Sequence, residues 1–188
     1  MFKHLLSTVP MLAVGIALAS PPAHAADEIE AKVQVCAKCH GKNGVSIDPK
    51  TIPVVWGQQQ SYLMKQLRDF RSGERASPIM APIARDLAEG DLRKIAAHFA
   101  AKEWPARQAL VKPLAPPKGI EQCAACHQPD FRGGLPAPRL AGLNADYLIA
   151  SMRAFATQKR SNNLDMPSFM RRLSARERSA MAHYFAAL

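Results

Sequence analysis

The chain has 188 residues, 48% of them hydrophobic, and a net charge of +10, which admits one ordinary domain or two small ones. Its positive charge is uneven, with 12 basic against 10 acidic side chains in residues 26–104 and 12 against 5 in residues 105–188. A basic half fits an acidic protein surface or anionic lipid, whereas no basic run is interleaved with the aromatics that a nucleic-acid interface uses.

In chain order, residues 1–25 come first. They open on Lys3 and His4, carry an apolar run from about Val9 to Ala19, and end on Ala23-His24-Ala25. This is the three-part form of a secretory signal peptide, with cleavage expected after Ala25 and the mature chain expected in the periplasm. The apolar run is shorter than the roughly 20 residues of a spanning helix. Export is a second reason to expect no nucleic-acid partner.

Residues 26–104 begin with VQVCAKCHGKNG, which holds Cys36, Cys39 and His40, followed by a loop containing Pro53. Tyr62, Leu63, Leu67 and Phe70 then mark one face of a helix over roughly residues 59–71. Met80 lies in an expected loop, and Leu92, Ile95, Ala96 and Phe99 stripe a last helix. Residues 105–118 contain Pro105, Pro113, Pro116 and Pro117, which favour an extended, semi-rigid linker.

Residues 119–188 repeat the series. Cys36, Cys39 and His40 recur 87 positions on as Cys123, Cys126 and His127. Pro53, Gly57 and Tyr62 recur 85 positions on as Pro138, Gly142 and Tyr147, and Met80, Leu87 and Phe99 recur 86 positions on as Met166, Leu173 and Phe185. Asn144 is placed to cap the middle helix, and Ser174 with Glu177 forms a capping box for the last one. Strand alternation is absent from both halves. The expected fold class is therefore all-α, with two tandem small helical domains. Modules of this size bury little surface and need a staple. A Cys-x-x-Cys disulfide closes too small a loop to provide one, so a bound group is expected.

Three chemistries use Cys-x-x-Cys. Structural zinc needs four ligands, and joining the pairs would bridge 87 residues while leaving the matched histidines unexplained. A redox dithiol belongs in a βαβ setting, which neither half offers. Covalent haem uses every element: two thiols join the haem edge and the adjacent histidine becomes the proximal ligand. Two covalently bound haem c groups are expected, on Cys36, Cys39, Cys123 and Cys126, with His40 and His127 on the irons.

A methionine in the sixth position closes the iron and favours electron transfer. Met64, Met152 and Met181 fall on expected helices, where core packing is the simpler role. Met80 and Met166 alone occupy matched positions, 41 residues after Cys39 and 40 after Cys126. Met170 is the competitor of Met166, but its counterpart is Ala84. His98 and His183 are unmatched and read as ordinary helix histidines.

These residues resemble class I cytochromes c, and the duplicated form is similar to the dihaem cytochrome c4 family. The resemblance runs from about Ala31 to Leu188 and is carried by CAKCHGKNG, IPVVWGQQQSYL, IMAPIARDLAEGDL, CAACH and PRLAGLNADYL. It implies two helical haem domains in contact, with Pro53 and Pro138 orienting the proximal imidazoles. It also implies redox protein partners, such as a quinol-oxidising donor and a terminal oxidase as acceptor, for a carrier that changes no substrate. Gln128 in place of Gly41, and SNNLDMPSFM in place of the IMAPIA form, depart from the pattern. Two alternatives stand beside the carrier: a dihaem redox enzyme (a peroxidase or sulfur-compound dehydrogenase) and a cytochrome subunit bound permanently to a dehydrogenase. The basic half is also compatible with loose membrane association.

Overall fold

The computed structural model describes residues 23–105 and 114–188; most of the expected signal peptide and the centre of the Pro-rich linker lie outside them. Among the described residues eight helices follow in order: α1 (Ala23–His40), α2 (Gln60–Ser72), α3 (Met80–Arg85), α4 (Glu89–Ala100), α5 (Glu121–His127), α6 (Ala145–Ala156), α7 (Met166–Arg172) and α8 (Ala175–Ala187). No strand occurs among the described residues; Gly134 and Ala137 form an isolated antiparallel bridge. No described helix is long and apolar enough to cross a membrane.

The helices begin and end where local chemistry requires. Asn144 Oδ1 accepts the Asp146 and Tyr147 amides at the start of α6, and Ser174 and Glu177 close a reciprocal capping box on α8. Gly73, at φ +86°, ends α2 in the left-handed turn that suits glycine. Helices α1 to α4 and α5 to α8 run in the same order: Cys-x-x-Cys-His helix, middle helix, short helix, last helix.

Each last helix packs on its half's middle helix. In the first half Val33 of α1 meets Ile95 and Phe99 of α4, with Trp56, Leu63 and Leu67 around them. The second core is larger, with Leu148, Met152 and Phe155 of α6 packed with Met170, Met181 and Phe185. Phe131 closes it, its ring 4.9 Å from that of Phe185.

The two halves meet across buried polar side chains. Gln66 Oε1 accepts from Arg75 at 2.7 Å and, from the second half, from Arg160 at 2.9 Å and Asn162 at 3.1 Å. Asn162 also donates to Asp69, and Lys65 donates to the Asn162 carbonyl at 2.9 Å. Arg75 reaches the Tyr147 hydroxyl at 3.4 Å, and Arg160 reaches that of Tyr62 at 3.1 Å. Each guanidinium lies over a phenylalanine of its own half, Arg75 on Phe70 and Arg160 on Phe155. Apolar contacts join the same seam, since Val54 and Trp104 of the first half pack against the second core.

Candidate haem sites

The final turn of α1 carries Cys36, Cys39 and His40, and α5 carries Cys123, Cys126 and His127. Residues i, i+3 and i+4 share one face of a helix, so each segment presents two thiols and an imidazole together. All four cysteines are free thiols. Burial raises the pKa of Cys36 and Cys123 above the ordinary thiol value, which keeps them protonated.

The imidazoles are held alike. His40 Nδ1 lies 2.8 Å from the Pro53 carbonyl and His127 Nδ1 lies 2.8 Å from that of Pro138. A carbonyl can only accept, so Nδ1 carries the proton and Nε2 keeps its lone pair. Burial holds both rings below the usual histidine pKa, with the proline carbonyl acting in the opposite direction. The rings are therefore neutral at pH 7, the form that ligates metal.

The turn after each histidine differs in residue but not in sign of φ. Gly41 sits at φ +88°, where an added Cβ would come within 2.0 Å of the Val45 carbonyl oxygen. Gln128 takes the matching place at φ +70° and ψ 157°, a region that is costly for any residue with a Cβ.

Met80 and Met166 are the first residues of α3 and α7, where loops were expected. These helices are under two turns long and carry Pro82 and Pro167 in their first turns, positions that tolerate a missing N–H. Their amides are capped alike, Met80 by Ser77 Oγ at 3.0 Å and Met166 by Asn163 Oδ1 at 2.8 Å. Both methionines are half-buried. Met170 differs: it is 3% exposed and packed within the second core. His98 is half-buried and lines a cleft of about 190 Å³ with Glu30, Trp56 and Lys102. His183 is exposed and donates from Nδ1 to the Ser179 carbonyl at 2.8 Å.

This donor set fits covalent haem: paired free thiols, a neutral imidazole with an uncommitted Nε2, and a half-buried thioether in each half. A model of the cytochrome c family matches residues 120–188. The thiosulfate dehydrogenase electron acceptor of Stutzerimonas stutzeri is 34% identical, covering 94% of this chain and 93% of that protein. Cytochrome c4 of Pseudomonas aeruginosa is 32% identical over 88% of this chain and 91% of its own. The crystal structure of reduced recombinant cytochrome c4 from Pseudomonas stutzeri superimposes with a TM-score of 0.73 at 28% identity, covering 87% of this chain and 98% of that one. The chain belongs to the cytochrome c4 family. It is a dihaem electron-transfer cytochrome, and its cofactors are two covalently bound haem c groups.

Sequence reading missed most of the seam between the halves of this cytochrome c4. Tyr62 and Tyr147 were visible as a matched pair. Arg75 and Arg160 lie at the same 85-residue offset, a signal that would have paired them with the tyrosines. Gln58, Gln66 and Asn162 carry no such mark.

Proposed function

We propose that this cytochrome c4 is a periplasmic electron carrier built as two haem domains, residues 26–104 and 119–188, joined by the linker 105–118 after removal of residues 1–25. Cys36 and Cys39 would hold one haem, with His40 and Met80 as its iron ligands; Cys123 and Cys126 would hold the other, with His127 and Met166. In each half the haem would supply a reversible one-electron centre. The chain's own task is to keep ligation unchanged in both oxidation states. Pro53 and Pro138 fix the imidazole tautomer and orientation, as carbonyls commonly do behind ligating histidines. The matched 2.8 Å Nδ1–carbonyl bonds carry the reading, because they prepare an Nε2 ligand beside a thiol pair twice over.

The donor would be a quinol-oxidising complex or another dehydrogenase, and the acceptor a terminal oxidase or similar periplasmic protein. A second reading is favoured by the Stutzerimonas relative: the chain accepts electrons from a thiosulfate dehydrogenase, freely or as its permanent subunit. Gel filtration of the natively expressed protein separates a free carrier from a subunit. The ligand set is tested on the purified ferric protein by counting covalent haems and measuring the methionine-to-iron charge-transfer absorption. Two haems with a full-strength band are expected. Two haems with a half-strength or absent band would put a dihaem enzyme ahead.

A further inference from the structure

Gln58 belongs to the first half, yet its amide serves the second. It is 4% exposed. Its Nε2 donates to the Arg139 carbonyl at 3.0 Å, while Oε1 accepts from the Arg139 N–H at 2.7 Å and the Gln59 N–H at 2.9 Å. The amide cannot be turned over, because its NH₂ would then face two N–H donors.

The Arg139 N–H and the Pro138 carbonyl are the two ends of one peptide group, and that carbonyl accepts from His127 Nδ1 at 2.8 Å. A continuous line of hydrogen bonds thus runs from Gln58 Oε1, through the 138–139 peptide, to the imidazole of His127. Hydrogen bonds linked through a peptide polarise one another. Donation from the Arg139 N–H to Gln58 places more negative charge on the Pro138 oxygen, which draws harder on the Nδ1 proton. Electron density then moves to Nε2 and makes it a stronger donor.

The first half lacks this arrangement. The matching peptide joins Pro53 to Val54, and the Val54 N–H makes no hydrogen bond among the described residues. The residue matching Gln58 is Leu143, which is 5% exposed and lies in the apolar cluster against which Val54 packs. The two proximal histidines therefore have the same acceptor but not the same acceptor strength.

We propose that Gln58 is a positioning residue acting across the seam on the second iron site, where it strengthens the His127 ligand, favours ferric iron and lowers that site's reduction potential relative to the first. The proposal rests on the reading of His40 and His127 as axial ligands.

The test is a potentiometric titration of the intact dihaem protein and of its Gln58→Leu variant, which installs the residue found at the matching position. The methionine-methyl signals of each site are followed separately by NMR. The expected result is an upward shift of the Met166 site with the Met80 site unmoved, and two covalent haems in both proteins. If Gln58 were only a clasp, its loss would admit water beside the second site. Water favours the more charged ferric form, so the shift would be downward. A downward shift, no shift, or an equal shift at both sites overturns the proposal while leaving the ligand reading intact. Fewer than two haems, or an iron without histidine in the wild type, overturns both. The reduced wild-type protein supplies a check without substitution: the His127 Nδ1 proton should resonate downfield of the His40 proton, and equal or reversed positions overturn the proposal.

Discussion

Met166 and Met170 lie one turn apart, yet Met166 is half-buried and Met170 is 3% exposed. Met170 fills the second core, and Met170→Ala should cost about 2–5 kcal/mol of stability in denaturant titration with the charge-transfer band unchanged. Met80→Ala and Met166→Ala should each remove half of that band with a smaller loss of stability; a full band in Met166→Ala would transfer the role to Met170. Gln128, held at φ +70° and ψ 157°, makes no side-chain hydrogen bond among the described residues. Gln128→Gly should therefore stabilise the protein by roughly 1 kcal/mol or more, read as a raised denaturation midpoint with an unchanged spectrum. The grouping of the two thiols and the imidazole in each half was legible in the sequence because it is local. A Cys-x-x-Cys-His run places its three groups on one helical turn whatever surrounds it. Gln58 was not legible, because its partner is the backbone of residue 139, and backbone leaves no trace in residue identity.

Helices that bury a stripe announce themselves, and α2, α4, α6 and α8 lie within a residue or two of where apolar spacing and caps put them. Their cap chemistry has a measurable value: Ser174→Ala removes the acceptor for the Glu177 amide and should cost about 1 kcal/mol in chemical denaturation. A change within experimental error would mean that α8 is held by Met181 and Phe185 alone. The short helices α3 and α7 were read as loops because six or seven residues complete fewer than two turns. No periodicity can be established over that length, and an internal proline reads as a breaker unless the helix start is known. Only the matched caps, Ser77 and Asn163, three residues before each methionine, signal where those helices begin.

At the scale of the molecule, the halves are joined by polar groups that cannot return to water while the seam is closed. Asn162→Ala would leave Gln66 and Asp69 each short of a donor and should cost about 1–3 kcal/mol. Thermal unfolding followed separately at the two haems should then show the transitions moving apart; a shared midpoint would mean that the apolar contacts of Val54 and Trp104 suffice. The excess of basic residues in the second half should steer docking to an acidic partner, so the bimolecular electron-transfer rate should fall as salt shortens the screening length to about 8 Å at 0.15 M. A rate independent of ionic strength would remove charge from the account of recognition. The duplicated order and the all-helical class were plain in the sequence, since both follow from repeats at a nearly constant offset. How the halves face each other was not, because opposed surfaces need no similarity to each other.

The exchange in which Arg75 reaches Tyr147 while Arg160 reaches Tyr62 has a further consequence. Contacts of the form i to j′ and j to i′ define an isologous interface, the kind formed by identical subunits about a two-fold axis. The chain is thus organised as a homodimer drawn into one polypeptide, its axis running through the seam. Because both halves belong to one polypeptide, each can differ from its twin. Gln58, matched in the repeat by Leu143, breaks that symmetry beside His127.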